Sequence, residues 1–514
     1  MKKKAAFLIA LTMLFGIGGI PAQIGPAPAV VQAKTKAVSE LTLTTGITDR
    51  LTVPDNKKVK SWKSENPEIV DVDQDGFLYA VSPGTAKVFA KTAKVKYAWT
   101  VTVEEEAFSS LSHDGYTLEQ VVVLSRHNIR SPLSSGDSLL GKMTPHTWFS
   151  WSSPSSQLSL RGALLETSMG QYFRKWLEKE GLFPENNHPE EGEVRFYANA
   201  KQRTIATARF FSSGLLPTAQ TAIETHAEYD TMDPVFTPQI TFLTDDYEEA
   251  AIQQMEDLYA GEKEALAEDF TLLSDVIDLK DSPAYQSGEV SDFNVDDEAF
   301  TLKEQAEPAM SGSLKTALSA SDALVLQYYE EADPIVAGFG HKLTTQDWKD
   351  ISEVKDIYGD VLFTTELVSK NVAHPLLQEI EAEMKAEGRE FTFLCGHDSN
   401  IGSVLAALEA EDYALPGAIE KKTPIGVKLL FSKLRDASGQ EFWSVDLVYQ
   451  TVEQLRSLRI LDLDNAPAVF HIDLKDLSQN ADGLYRADDF EGRVSDAISD
   501  YDHIVEAYSL KEAA

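Results

Sequence analysis

Cysteine, basic charge and long apolar runs are all scarce in this chain of 514 residues. Its one cysteine, Cys395, cannot form a disulfide within the chain, and the apolar FTFL before it favours a buried small hydrophobe over a nucleophile. Lys and Arg number 46 against 82 Asp and Glu, for a formal net charge of −36. Such a surface repels nucleic acid and anionic membranes, which excludes both as bulk partners. Any anion site must therefore be a local positive pocket.

Residues 1–33 are predicted to be an export signal that lies outside the fold. Three lysines precede the apolar run AAFLIALTMLFGIGGI, and VVQA supplies a cleavage site that ends at Ala33. An uncleaved membrane anchor is the alternative, but the run is short and rich in proline and glycine after Ile20. We expect cleavage, with a product that is extracellular or held in the cell envelope and has no further contact with the membrane.

Two regions with different hydrophobic periods follow the signal. Between 39 and 104, apolar and polar residues alternate at period two between turn residues, which predicts a small all-β sandwich. Between 111 and 514, strand patterns alternate with amphipathic helices, which predicts an α/β domain. The acidic, strand-free stretch at about 245–289 indicates a helical insertion, which we place at roughly 140–320.

Two arginines and a histidine follow a predicted buried strand. The apolar run Val121–Ser125 leads into RHNIRSP, where Arg126 and Arg130 flank His127. Open α/β sheets bind ligands beyond the carboxyl ends of their strands, and the guanidinium fork matches phosphate oxygens. Taken alone, this run is also compatible with a solvated surface loop.

A second strand end carries a second histidine. The predicted strand Phe391–Cys395 leads into GHDSN, which contains His397 and Asp398. Taken singly, these residues are compatible with a core histidine and a helix cap. Arg203 opens a further predicted helix, Gln202–Ser212, where the helix dipole favours anions. Two strand ends that each deliver a histidine beside a charged residue predict one shared site.

Together these motifs resemble the histidine acid phosphatase family, in the branch of phytases and glucose-1-phosphatases. The matching stretches run from about Tyr116 to the C-terminal region: RHNIRSPL, YANAKQRTIATARFF, TMDPVF, LQYYE, GHDSNIGS and KTPIG. The resemblance implies a histidine-phosphatase sheet domain and a helical domain with the site between them. It also implies a small-molecule phosphomonoester as substrate, and neither a metal nor another cofactor.

The resemblance gives each motif residue a role. His127 would take the phosphoryl group as a phosphohistidine, and Asp398 would protonate the leaving alcohol. The implied clamp on the phosphate oxygens consists of Arg126, Arg130, Arg203 and His397. A histidine nucleophile must be neutral, so we expect a fixed acceptor for its other ring nitrogen and a pKa lowered by the cations around it. Those cations also favour the anionic form of Asp398.

Substrate choice is predicted from one more position. Glu307, in EQAEPAMSG, matches an E-P position of the glucose-1-phosphatase branch that lies near the pocket. A carboxylate there would accept hydrogen bonds from sugar hydroxyls and oppose a highly phosphorylated ligand, whereas a solvated surface glutamate is the alternative. A sugar phosphate such as glucose 1-phosphate is therefore the expected substrate, and inositol hexakisphosphate is the alternative. Asn128 replaces the commoner family glycine, as it does in the glucose-1-phosphatase branch.

The predicted β-sandwich resembles the bacterial immunoglobulin-like group 2 domain. The matching residues include Trp62, Gly76 and Gly84. Such modules serve as spacers or adhesive units, and as a single copy this one is expected to be a spacer, with cell-wall contact as the alternative. Two rival functions are a surface-binding protein that keeps the phosphatase domain as a scaffold, and a mutase, whose cytoplasmic substrates disagree with an export signal.

Overall fold

The computed structural model describes residues 34–54, 57–134 and 136–512. The predicted export signal at 1–33 lies outside these ranges. Within them, no helix combines the length and the apolar character needed to cross a membrane.

The N-terminal unit consists of two sheets that share one hydrophobic core. Its strands are β1 (Lys34–Thr44), β2 (Thr48–Arg50), β3 (Ser61–Ser64), β4 (Val70–Val72), β5 (Phe77–Ala80), β6 (Gly84–Lys91) and β7 (Val95–Glu104). One sheet has the order β1-β7-β6-β3 and the other β2-β5-β4. Trp62 and Val88 of the first meet Val70 and Leu78 of the second. The β region thus begins before the predicted bound of 39, because β1 pairs with β7 from Lys34 onward.

Gly76 explains one of the sequence features of this unit. Its φ is +85°, and a Cβ atom there would lie 2.7 Å from the Trp62 ring. Both the turn and the packing of the tryptophan therefore require glycine. The immunoglobulin-like assignment itself stays a prediction.

The strands of the remaining chain build a central sheet and one hairpin. They are β8 (Tyr116–Arg126), β9 (Val194–Ala198), β10 (Ala299–Thr301), β11 (Ala309–Ser311), β12 (Phe391–Gly396), β13 (Lys428–Asp436), β14 (Glu441–Tyr449), β15 (Ala468–His471) and β16 (Tyr485–Arg486). The sheet has the order β15-β14-β13-β8-β12-β9, with β16 paired to β14, whereas β10 and β11 form the hairpin. β12 runs parallel to both β8 and β9, so three strands end at one edge.

Helices cover both faces of this sheet. In the described chain they are α1 (Leu139–Lys142), α2 (Leu160–Glu180), α3 (Gln202–Leu215), α4 (Asp245–Val276), α5 (Pro283–Gln286), α6 (Ser313–Glu330), α7 (Pro334–Ala337), α8 (Thr345–Phe363), α9 (Glu366–Val372), α10 (His374–Met384), α11 (Asp398–Ala407), α12 (Val452–Ser457) and α13 (Ala487–Glu512). Val121 and Val123 of β8 face α2 and α3, whereas Val122 and Leu124 face α10, α11 and α13. Burial on both faces explains why the predicted strand is apolar at every position.

The helical unit differs in extent from the predicted insertion at roughly 140–320. Its core unites α4, α6, α8 and α9, so it continues well beyond residue 320. α2 and α3 lie inside the predicted range but belong to the sheet, because Phe173 and Phe211 pack against Phe391 and Phe393. Helical periodicity shows that a face is apolar without showing which surface will cover it.

The N-terminal unit contacts the helical unit at the start of α8. The backbone N–H of Thr48 donates to Thr345 Oγ1 at 2.9 Å, and the Arg50 guanidinium donates to the Lys342 carbonyl at 2.7 Å. Lys342 also forms an ion pair with Asp73. These bonds join the module to the helix that, further along, reaches the cavity described next.

Candidate active site

The parallel pairing of β8 with β12 brings the two histidine motifs to one edge of the sheet. Arg126 pairs with Gly396 in the register, and the His127 N–H donates to the Gly396 carbonyl at 3.1 Å. The ring centroids of His127 and His397 lie 5.5 Å apart, with their planes at 72°. The structure therefore brings the two motifs into one site.

A cavity of about 750 Å³ opens at this edge between the sheet and the helical unit. Its wall includes six of the seven predicted site residues, namely His127, Arg130, Arg203, Glu307, His397 and Asp398. The helical unit contributes Asp322 from α6 and Lys355 from α8. Arg126 is the predicted residue that does not line the cavity.

His127 is held as a neutral imidazole with one nitrogen free to react. The ring is 3% exposed, and its Nδ1 lies 2.9 Å from the backbone carbonyl of Asn128. Because a carbonyl can only accept, Nδ1 carries the proton and Nε2 carries the lone pair. Burial lowers the pKa of His127 well below its ordinary value, and the charges of Arg203, Arg130 and Arg126 lower it further. The Asn128 carbonyl is the fixed acceptor that the sequence led us to expect.

A buried ion pair anchors the loop that carries His127. Asn128 Nδ2 donates to Glu166 Oε1 at 2.8 Å, and Lys428 Nζ donates to the same oxygen at 2.8 Å. The side chains of Glu166 and Lys428 are both fully buried. Sequence reasoning missed this pair, although a charged residue within the apolar face of α2 and another at the start of a buried strand were visible signals.

His397 is oriented through Asn199, another residue that sequence reasoning missed. The Asn199 carbonyl oxygen accepts from the Asp233 N–H at 2.9 Å, which identifies its amide nitrogen as the group 2.7 Å from His397 Nε2. Because the Asn199 amide nitrogen donates, His397 Nε2 must accept. The proton of the neutral His397 ring therefore sits on Nδ1. Burial, followed by Arg203, lowers the pKa of His397 well below its ordinary value.

Asp398 lies against two cations and remains 39% exposed to the cavity. Its Oδ2 is 3.3 Å from Arg126 Nη2 and 3.4 Å from Lys355 Nζ. Burial acts to raise the pKa of Asp398, but the charges of Arg126 and Lys355 lower it well below its ordinary value. The carboxyl is therefore anionic before a substrate binds. Lys355 lies in no predicted motif and reaches the site only because α8 packs there.

Arg126 occupies a different place from the other two arginines. It is 2% exposed, and its Nη1 donates to Glu420 Oε1 at 2.6 Å and to the Thr423 carbonyl at 2.5 Å. Its other terminal nitrogen faces Asp398. In this geometry it positions and ionises Asp398, while direct contact with a phosphate stays a prediction.

Arg130 and Arg203 supply positive charge to the cavity wall. Arg130 Nη2 pairs with Asp322 at 3.1 Å, and Arg203 Nη1 donates to Ser156 Oγ at 2.8 Å. Burial, with the charge of Arg130, lowers the pKa of Arg203 to about 10, so it stays cationic in acid and neutral solution. The Nε–H groups of both residues, and of Arg126, are buried without an acceptor among the described residues. An anion with several oxygens satisfies such donors.

Comparison with known proteins assigns this arrangement to a family. The sequence model of the histidine phosphatase superfamily (branch 2) matches residues 117–450, which is more than half of the chain. The chain belongs to this superfamily. Together with the glucose-1-phosphatase relatives given below, this membership makes the protein a histidine acid phosphatase, that is, a phosphoric monoester hydrolase.

Individual relatives agree with this assignment. The chain is 35% identical over 407 residues to a glucose-1-phosphatase of Salmonella typhimurium, covering 78% of this chain and 98% of the relative. It is 36% identical over 387 residues to a glucose-1-phosphatase of Providencia rettgeri, covering 74% and 92%. The solved structure of Hafnia alvei phytase in its apo form matches with a TM-score of 0.69 at 26% identity, covering 76% and 99%.

Removal of the Lys428 ammonium tests the anchor beneath the loop that carries His127. Lys428→Met leaves Glu166 as a buried charge without a cation, and we expect this to lower the free energy of unfolding by about 3–5 kcal/mol. The measurement is urea denaturation. Lys428→Met combined with Glu166→Gln removes both charges and should recover much of the loss, whereas equal stabilities for wild type and the single variant would contradict the anchor.

The lowered pKa of His127 predicts the acid side of the pH profile. A histidine is neutral above its pKa, and the ordinary histidine pKa is 6.5. As the pH is lowered, kcat/KM should therefore stay constant past pH 6.5 and fall only where His127 gains a proton. Because phosphate esters also titrate near pH ~6, two esters with different leaving groups should be compared. A shared acid limb at or above pH 6.5 would show that the imidazole pKa is not lowered.

Proposed function

We propose that the protein is an exported, metal-independent acid phosphatase that hydrolyses sugar phosphates such as glucose 1-phosphate through a phosphohistidine at His127. One observation carries this proposal: a neutral imidazole with Nε2 free lies in a cavity whose wall also holds two guanidinium groups and a carboxylate. Two glucose-1-phosphatases at 35% and 36% identity support the choice of substrate.

In the first step, Nε2 of His127 attacks phosphorus and the bond between phosphorus and the ester oxygen breaks. Arg130, Arg203 and the Nδ1–H of His397 bind the non-bridging oxygens, where charge is spread in the transition state. These fixed cations supply the charge stabilisation that other phosphatases obtain from metal ions. The leaving alkoxide takes a proton from Asp398.

Asp398 must gain that proton after the substrate binds. It is anionic in the free enzyme because Arg126 and Lys355 outweigh its burial. A bound phosphate adds negative charge beside it, which raises the pKa of the carboxyl toward the working pH. In the second step, water attacks the phosphohistidine, the phosphorus–nitrogen bond breaks and Asp398 accepts the water proton, so that inorganic phosphate and neutral His127 are regenerated.

The charge of the cavity wall favours a singly phosphorylated substrate. The wall carries nine acidic side chains against six from Lys and Arg. Lys355, Lys370 and Lys422 are held in ion pairs with acidic neighbours. A hexakisphosphate would bring many negative charges to this surface, whereas one phosphate is matched by Arg130 and Arg203.

Glu307 lies on the wall, as a substrate-contacting residue must. Its side chain is exposed, and it lies in the opposing fields of Arg203 and Asp398. We assign its carboxylate to the hydroxyls of the sugar.

Hydrolysis of inositol polyphosphates is the second candidate. Four lysines on the wall, three of them outside the predicted motifs, favour it, as does the similarity to Hafnia alvei phytase. The N-terminal unit fits either candidate as an immunoglobulin-like spacer that holds the enzyme at the cell envelope, with contact to wall polymers as a further role.

Removal of the nucleophile should abolish turnover. We expect His127→Ala to lower kcat by roughly 10⁴-fold or more and to prevent labelling of the protein by a radioactive phosphomonoester. His503→Ala, which alters an exposed histidine on α13, is the matched control and should change neither measurement. Wild-type turnover should persist in excess chelator, and near-normal activity of His127→Ala would end the proposed role.

Substitution of Glu307 should change the ratio between substrates. Glu307→Gln keeps the shape but removes a negative charge, so kcat/KM for glucose 1-phosphate should fall by roughly 10-fold while that for inositol hexakisphosphate rises. The control is Glu304→Gln, an exposed position outside the cavity. Equal effects of the two substitutions would place Glu307 outside the substrate contacts.

A further inference from the structure

Three acidic side chains meet between α4 and α8, away from the active site. Asp269 belongs to α4, whereas Asp350 and Glu353 lie three residues apart on α8 and so share one face of that helix. One carboxylate oxygen of each residue lies within 4.8 Å of those of the other two. None of the three lines the cavity that holds His127.

Asp269 is the member of this cluster that lacks a partner. Asp269 is only 4% exposed, and its Oδ2 is buried without a hydrogen-bond partner among the described residues. An isolated buried carboxylate is costly unless a cation or a proton neutralises it. Burial, together with Glu353, Asp350 and Glu268, raises the pKa of Asp269 to about 8.

The spacing and chemistry of the cluster select among neutralising species. Calcium binds oxygen ligands at about 2.3–2.6 Å, so oxygens on opposite sides of one ion lie up to about 5 Å apart. The cluster's oxygens all lie within 4.8 Å of one another, so one calcium ion can reach all three residues. Magnesium usually keeps several waters and is held by one or two carboxylates, and zinc prefers nitrogen or sulfur ligands. Asp350 and Glu353 are half-buried, which leaves space for the water ligands that calcium also needs.

We propose that Asp269, Asp350 and Glu353 form a calcium site that ties α4 to α8. The same α8 carries Lys355, two residues after Glu353 and hence about 200° around the helix. Lys355 Nζ is 3.4 Å from Asp398 Oδ2, so a cation on the outer face secures the helix whose inner face supports the active site. The ion is structural and takes no part in phosphoryl transfer.

Calcium titration of the full chain, first stripped with chelator, tests the site. Calorimetry should detect a site that is lost in Asp269→Asn and kept in Glu264→Gln, which removes a charge from an exposed position on the same helix. Saturating calcium should raise the Tm of wild type and Glu264→Gln by at least about 2 °C and leave that of Asp269→Asn unchanged. Magnesium at the same concentration should have a smaller effect.

Two outcomes would overturn the site: a wild-type chain whose Tm does not respond to calcium, or an Asp269→Asn variant that responds as the wild type does. Should Asp269→Asn fail to fold, Glu353→Gln carries the same comparison. His127→Ala should keep the full calcium response while losing turnover. The calcium site and the proposed phosphatase activity are therefore tested separately, and a negative result for one does not decide the other.

Discussion

The parallel register between β8 and β12 is the constraint on which the active site depends. It places Arg126 beside Gly396, so the residue after each strand is a histidine and the two rings meet edge-on. A shift of one residue along either strand would reverse the faces of every side chain on it. Both faces of β8 are buried against different helices, which holds the register and therefore the distance between the rings.

Charge in the site is arranged by counter-charges that lie behind the reacting groups. Arg126 is held by Glu420, Arg130 by Asp322, and Lys355 by its acidic neighbours. Such pairing offsets the cost of burying several cations at the edge of the sheet. It also leaves some of their N–H donors free to bind an anion. The chain as a whole is strongly acidic, so the pocket is positive only locally, as the composition required.

Much of the site could be predicted because its motifs are local. RHNIRSP and GHDSN each combine a strand end with the reactive residues, and both strands were recognisable from their apolar runs. The groups that orient those residues are scattered: Glu166, Asn199, Lys355 and Lys428 reach the site from four different elements. No local pattern marks Lys355, because a lysine on an amphipathic helix looks the same whether it meets solvent or a buried aspartate.

The sequence by itself determined the chemistry available: two histidines, three arginines and an aspartate at strand and helix ends, in a chain with one thiol and a large acidic excess. The spacing of apolar residues also predicted the strands. A strand buried on one face alternates apolar and polar residues, whereas a strand buried on both faces is a continuous apolar run. The tertiary structure alone decided which helices cover the sheet and which form the separate unit. It also decided that Arg126 faces Asp398 rather than the cavity, and that Asn199 sets the tautomer of His397. These are outcomes of long-range packing, and contacts between residues hundreds of positions apart leave no periodic trace in either segment.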